Sequence, residues 1–147
     1  MTQPKVVLDA CVLVPVTLAD TLLRLAESGF YRPVWSEIIL GESLNAAQSI
    51  QQKSAKNFLE NRFKQMDQAF PDACVYDFEY LEKEVVTRWP DPDDAHVVAA
   101  AVHAGAEMIV TKNLKDFPER LLEPFNLVAS SPDVFLLEML NANEEQV

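Results

Sequence analysis

The sequence predicts an α/β fold, with helices packed around a central, mostly parallel sheet. Three observations carry this. Short apolar runs such as KVVLD and EMIVT alternate along the chain with stretches whose apolar residues recur at helical spacing. The first run is rich in β-branched residues, which suits a buried parallel strand. The 147 residues contain no internal repeat, no low-complexity tract and no linker, so the whole chain, 1–147, reads as one domain.

Taken in order, Lys5 to Asp9 (KVVLD) forms the first strand. From Leu18, LADTLLRLAESG has helical spacing, and Gly29 suits the position just past a helix end. YRPVW is a second strand, with Pro33 making it an edge or irregular one. Ser36 caps a helix through SEIILGESLNAAQ, and helical pattern resumes through KNFLENRFKQMDQAF. ACVYDF is a third strand, followed by a short helix from about Glu79 to Val86. Asp93 to Ala104 forms a helix stopped by Gly105, and EMIVT the next strand. NLVAS is a last strand before the helix SPDVFLLEML, where Ser131 caps and Pro132 takes the first turn.

Composition narrows the function classes. Hydrophobic content of 49% and charged content of 24% are those of a folded globular chain. A net charge of −11 argues against general, charge-driven attraction to nucleic acid, though not against a nucleic-acid substrate reached through bound metal. Cys11 and Cys74 make no disulfide framework and are expected as reduced thiols in a cytoplasmic protein. MTQPKVVLDA has the pattern of neither a signal peptide nor a targeting sequence, and no apolar run reaches membrane-spanning length.

The chemistry concentrates in acids. DPDDAHVVAAA crowds three aspartates against a segment built to be buried, although packed carboxylates repel and resist desolvation. Asp91 as helix cap, Pro92 at the first position and acids in the first turn make a good helix start. Capping explains Asp91 well and Asp94 less well. Asp94 shares a helical face with Val97, Val98, Ala101 and Val102, whereas Asp93 shares one with His96 and Val97, so periodicity does not choose between them. Asp9 closes the first strand, and Thr111, Asn113 and Asp116 follow EMIV. Ligands of open α/β sheets gather beyond such strand ends. Each acid also has a plain structural reading: Asp9 bonded to a loop amide, Glu42 solvated on its helix, Asp116 capping PERLL. His96 and His103, seven apart on one helix, read as partly buried, hydrogen-bonded histidines, and no Cys/His set has zinc-ligand spacing. Two basic stretches stand out: residues 53–64, equally well explained as a solvated helix face, and Lys112, Lys115 and Arg120 beside the acids.

LDACVL, the helical glutamate in ILGES, DPDDAHVVAAA and IVTKNLKDFP together resemble the PIN-domain ribonucleases, near the bacterial toxin–antitoxin type. The resemblance runs from about Val6 to Phe117, and DPDDAHVVAAAVHAGAEMIVTKNLKDFP is its most specific part. It implies an α/β/α sandwich and acidic residues that bind Mg2+ or Mn2+, one or two ions, for hydrolysis of RNA. Position by position, Asp9, Glu42, Asp94 and Asp116 fall on the family's acidic quartet, with Glu37, five residues before Glu42, as the alternative helical glutamate. Asp9 and Asp94 are expected as principal metal ligands, with Glu42 and Asp116 holding a second ion or orienting water. Thr111 fits the family's polar residue beside the site, and Asn113 falls where many relatives carry a further aspartate. Thr111, Lys112, Asn113 and Lys115 are expected to touch substrate. The resemblance also implies a cognate antitoxin and a homodimer, the latter permitted by the apolar segment DVFLLEML. The chemistry agrees, because hard cations held by carboxylate oxygens generate a nucleophile and offset charge on phosphoryl oxygens.

Three other classes remain open at this level. A phosphoaspartate receiver needs an acidic pair after its first strand, where only Asp9 stands. A haloacid-dehalogenase-like phosphatase needs an aspartate two residues beyond its nucleophile, where this chain has Cys11. The third is a non-catalytic PIN-like protein that only binds partners.

Overall fold

The computed structural model describes residues 3–50, 53–89 and 91–144. Five strands, β1 (Lys5–Leu8), β2 (Arg32–Ser36), β3 (Cys74–Val75), β4 (Met108–Val110) and β5 (Val128–Ser130), form one sheet in the order β3-β2-β1-β4-β5. Every pairing is parallel. The connecting helices are α1 (Ala10–Leu13), α2 (Val16–Glu27), α3 (Glu37–Ile50), α4 (Lys53–Ala69), α5 (Glu79–Val86), α6 (Pro92–Ala104), α7 (Glu119–Leu122) and α8 (Pro132–Glu144). Successive strand residues point to opposite faces, and Val6, Val7 and Leu8 are all buried, so helices cover both sides of the sheet. The predicted α/β/α architecture is therefore the observed one.

Helix α6 lies deepest. Ala95 and the whole run from Val97 to Ala101 are buried, so the helix is enclosed around its circumference rather than along one stripe. Alanine at four of the positions in AHVVAAA lets the neighbouring elements approach closely. Gly105 ends α6 in the left-handed conformation, φ 72°, and returns N–H groups to the last helical carbonyls. Gly29 plays the same part after α2, at φ 87°. Among the described residues no helix is long and apolar enough to cross a membrane.

Chain order through the sheet fixes where a ligand belongs. From β1 the chain moves outward through β2 to β3, then crosses back to the other side of β1 to build β4 and β5. The direction of winding reverses between β1 and β4. A crevice opens at the carboxyl end of such a pair because the connections leave in opposite directions.

The structure corrects several expectations. β2 is not an edge strand; it lies between β1 and β3. Arg32 donates its N–H toward β1, to Pro4, and Trp35 donates toward β3, to Ala73. Alternation puts the Pro33 nitrogen on the β3 side, but β3 pairs only from Trp35 onward, so the missing donor faces no partner strand. Asp116 does not cap PERLL, because α7 begins after Pro118 with no side-chain cap. The four-residue helices α1 and α7 and the 3-10 turns at Leu114–Asp116 and Glu123–Phe125 were not anticipated. Each is too short to establish an apolar period.

Candidate active site

Asp9 stands one residue beyond β1 and Thr111 one residue beyond β4, at the reversal point of the sheet. The ladder continues through both: Asp9 donates its N–H to Val110 (3.1 Å), and Thr111 donates its own to Ser130 (3.0 Å). Their side chains meet across the strands, the Thr111 hydroxyl donating to Asp9 Oδ2 at 2.9 Å. Asp9 Oδ1 accepts from Ala10 N at 2.8 Å and caps α1. The plain reading of Asp9 as a carboxylate bonded to a local amide is thus correct for one oxygen and incomplete for the other. The Cys11 thiol lies 3.7 Å from Oδ2, and its sulfur accepts from Lys112 N at 3.2 Å, which fastens the loop after β4 to the loop after β1. The Asn113 N–H donates to the Thr111 hydroxyl oxygen at 3.0 Å and tightens that loop further. Burial pushes the Asp9 carboxyl up; the Thr111 and Ala10 hydrogen bonds oppose the rise, and Glu42 adds to it.

Asp94 reaches the same region from the start of α6. Asp91 is the cap, its Oδ1 accepting from Asp93 N at 2.9 Å. Asp93 is exposed and Asp94 partly buried, which resolves the choice that periodicity left open. Burial and then the charges of Asp116, Asp91, Asp9 and Glu42, in that order, push the Asp94 carboxyl up to about 6. Carboxylates from four separate parts of the chain therefore share one field. Glu42 projects from α3, whose start Ser36 caps by accepting from Ile39 N at 3.2 Å. Its charge acts on Asp9 and Asp94, whereas Glu37 acts on Cys74 and Tyr76 at the β3 side of the sheet. Of the two candidate glutamates, Glu42 faces Asp9.

Asp116 ends the 3-10 turn after β4. Its carbonyl accepts from Trp89 Nε1 at 3.0 Å, and Trp89 packs obliquely on Phe117 with ring centroids 6.4 Å apart. The buried indole thereby ties the Asp116 turn to the segment that launches α6. Sequence reasoning passed over Trp89, and its only signal was an aromatic residue directly before the acidic run.

Lys112, Asn113 and Lys115 are exposed on the loop beside Asp9, and Arg120 is exposed on α7. The stretch 53–64 fares differently. The side chains of Lys53 and Lys56 lie outside the described residues, and Lys64 is exposed. Arg62, only 12% exposed, turns inward to within 3.9 Å of Asp20 and 3.5 Å of the Val16 carbonyl, so it joins α4 to α2 instead of facing phosphate. His103 is exposed and bonded through Nδ1 to the Tyr80 hydroxyl at 2.9 Å. His96 is buried, with Nε2 3.1 Å from Glu42 Oε1, closer to the acids than its sequence reading allowed. Burial works against a charge on His96, but Glu42, followed by Asp9 and Glu82, outweighs it and raises the imidazole above its ordinary value.

Among the described residues no group of three or more His, Cys, Asp or Glu side chains is placed so that it could hold a metal ion. What the acids near Asp9 and Asp94 offer is carboxylate oxygens. That chemistry fits Mg2+ or Mn2+, hard ions that take a few carboxylate oxygens and keep several waters, and it fits zinc poorly.

The raised Asp94 value gives this site a pH signature. The folded value lies above the ordinary 3.8, so the folded chain binds this proton more tightly than the unfolded chain does. Its contribution to stability is complete below about pH 4 and is lost as the pH rises through about 6. With EDTA present, the melting temperature of Asp94→Asn should therefore fall less than that of the wild type between pH 4 and pH 7. If Asp94 served only as a first-turn helix acid, contributing about 0.3–1 kcal/mol, the variant would melt lower at pH 7 and the wild type would not fall more steeply than the variant.

Comparison with known proteins places the fold. The family model for the PIN domain matches residues 5–115, a span that begins with β1 and contains Asp9, Glu42, Asp94 and Thr111. VapC50 of Mycobacterium tuberculosis, whose name assigns it provisionally to the ribonucleases, is 54% identical over 52 residues, 35% of this chain. That match spans only 31% of VapC50. Among solved structures, VapBC-1 from nontypeable Haemophilus influenzae superimposes with a TM-score of 0.61 at 13% identity, covering 88% of this chain and 98% of its own. FitAcB from Neisseria gonorrhoeae gives 0.61 at 14% identity, with 86% and 97% covered. VapBC2 from Rickettsia felis, solved with a DNA fragment from its promoter, gives 0.54 at 19%, with 86% and 98% covered. At such identities these three establish the shared fold, while the family match reaches across most of the chain: this protein belongs to the PIN-domain family.

Proposed function

We propose that this protein is a metal-dependent endoribonuclease, active in the cytoplasm as the toxin half of a toxin–antitoxin pair. The observation that carries the reading is Asp9 at the reversal point of the sheet, together with an Asp94 carboxyl that burial and the charges of Asp116, Asp91, Asp9 and Glu42 push upward. A fold retains such mutually repelling groups at its core edge where a cation is to be held. Asp9 and Asp94 are the principal donors in this reading, with Glu42 and Asp116 completing the set or orienting water. A bound Mg2+ or Mn2+ supplies an activated water and offsets charge on the phosphoryl oxygens. Thr111 keeps one Asp9 oxygen oriented, and the exposed Lys112, Asn113 and Lys115 face an approaching phosphate backbone. The likeness to VapC50 and to the VapBC and FitAcB folds supports a toxin with a cognate antitoxin.

Purified protein should cleave single-stranded RNA with Mg2+ or Mn2+ and stop when EDTA is added. Asp9→Asn should lose that activity with little loss of fold. Equal cleavage by wild type and Asp9→Asn would identify a contaminating nuclease and remove the claim.

Lys112→Glu combined with Lys115→Glu should weaken RNA binding. If both lysines contact phosphate, the slope of log affinity against log salt should shrink by about 1.4, since single strands release roughly 0.7 counterion per contact. An unchanged slope would take these lysines out of the RNA path.

The helix α8 leaves Val134, Leu137 and Leu140 exposed while Phe135 is buried beneath it, and this apolar face supports a homodimer. Sedimentation velocity across the micromolar range should show a species near twice 16.5 kDa. A chain-mass species alone throughout that range would overturn the dimer.

A further inference from the structure

The Glu42 side chain is 38% exposed. Three rotatable bonds would let such a group sweep through solvent, a poor arrangement for a metal donor. The group that meets it comes from a different element. His96, on α6, has a side chain only 5% exposed, and its Nε2 lies 3.1 Å from Glu42 Oε1. Its Nδ1 has no hydrogen-bond partner among the described residues. Glu42 is therefore the polar contact that the ring makes. Nε2 likewise has no hydrogen-bond partner among the described residues, and its contact with Glu42 is one of ion-pair distance. Burying an imidazole whose nitrogens lack hydrogen-bond partners is costly, whereas an aliphatic side chain would fill that space at no polar cost. What the imidazole adds is a ring nitrogen 3.1 Å from Glu42 Oε1.

We propose that His96 is a positioning residue, whose Nε2, in contact with Oε1 of Glu42, keeps that carboxylate in place so that Oε2 is presented toward Asp9 and Asp94. Helix α6 then acts twice within one turn: Asp94 supplies a donor, and His96, two residues on, orients the donor of α3. The inference rests on the metal-site reading proposed above, and the test keeps the two apart.

Mn2+ binding to the full chain, followed by the loss of the free-ion electron paramagnetic resonance signal, is compared for five proteins: wild type, Glu42→Gln, His96→Leu, His96→Gln and the double variant His96→Leu/Glu42→Gln. Melting in EDTA establishes that each is folded, and His96→Met replaces His96→Leu if the latter does not melt cooperatively. Removing the group that orients a metal donor lowers affinity by about 10-fold to 100-fold. Glu42→Gln and His96→Leu should each weaken Mn2+ binding within that range, and His96→Gln, which keeps an N–H donor, should recover most of the loss. In the Glu42→Gln background His96→Leu should change affinity by less than about twofold, because its effect passes through Glu42. Weak binding by Glu42→Gln with wild-type binding by His96→Leu would overturn the positioning role while leaving the metal site standing. An equal loss from His96→Leu in both backgrounds would mean that the ring acts through packing, and would overturn it too. Wild-type affinity in Glu42→Gln would remove Glu42 from the metal site and the proposal with it.

Discussion

Asp9 and Thr111 occupy the step beyond the paired residues Leu8 and Val110, and the 2.9 Å bond between their side chains closes the end of the β1–β4 pair. That position exists because the sheet is wound outward in both directions from β1, so the two strands that meet at the reversal lie side by side although 102 residues separate the bonded pair. The rest of the site is arranged around this closure. The other Asp9 oxygen starts α1, the Cys11 sulfur holds the Lys112 amide, and the Thr111 hydroxyl receives the Asn113 amide. A bond between two side chains thus sets the course of both loops that line the crevice, and the turn bearing Asp116 is the continuation of one of them.

The remaining acids are held by burial rather than by bonds to Asp9. Fully burying a valine contributes about 1.5–3 kcal/mol relative to leaving it exposed, and Val97 and Val98 are both buried directly behind Asp94. The cap at Asp91 contributes about 1 kcal/mol. These terms act on α6 as a body, so the helix stays docked although its first turn faces like charge. Trp89 serves the same end at the other approach. Its indole is buried and its N–H holds the Asp116 carbonyl, so the turn is anchored through its backbone and the carboxylate itself is left free. In both cases the fold spends apolar contact to place an acid.

Much of this was legible from residue order. Strand after helix gave the layer architecture, and DPDDAHVVAAA marked the start of the central helix because three acids abut a run of small apolar residues. Asp9 and Thr111 could be assigned to strand ends, since each directly follows a β-branched run. What was not legible depended on neighbours remote in sequence. Pro33 argued for an edge, and the argument failed because the pairing of β2 with β3 starts two residues later. Arg62 looked like a surface cation until Asp20 from α2 was found beside it. Helical periodicity placed Asp93 and Asp94 equally well, and it is the partial burial of Asp94, beside acids on other elements, that distinguishes them. His96 reads from sequence as a partly buried, hydrogen-bonded histidine, although neither ring nitrogen has a hydrogen-bond partner among the described residues. It is indeed buried, but the partner that makes it informative sits 54 positions earlier on α3, beyond the reach of any local pattern.

Two opposed fields meet at the first turn of α6, and their balance explains why the site retains its acids in this form. A helix start carries partial positive charge and unpaired N–H groups, which favours an ionised carboxylate by about 0.3–1 kcal/mol. Asp91 uses that preference directly as the cap, accepting from Asp93 N. Asp94 lies in the same turn and experiences the same end of the helix, yet its carboxyl is pushed up rather than down. Burial and the charges of Asp116, Asp91, Asp9 and Glu42 therefore exceed what the helix terminus can offset. An acid placed for capping would have been left to the helix, as Asp91 is. In the metal-site reading proposed above, the group that would lower the energy of Asp94 and of the acids around it at once is a cation.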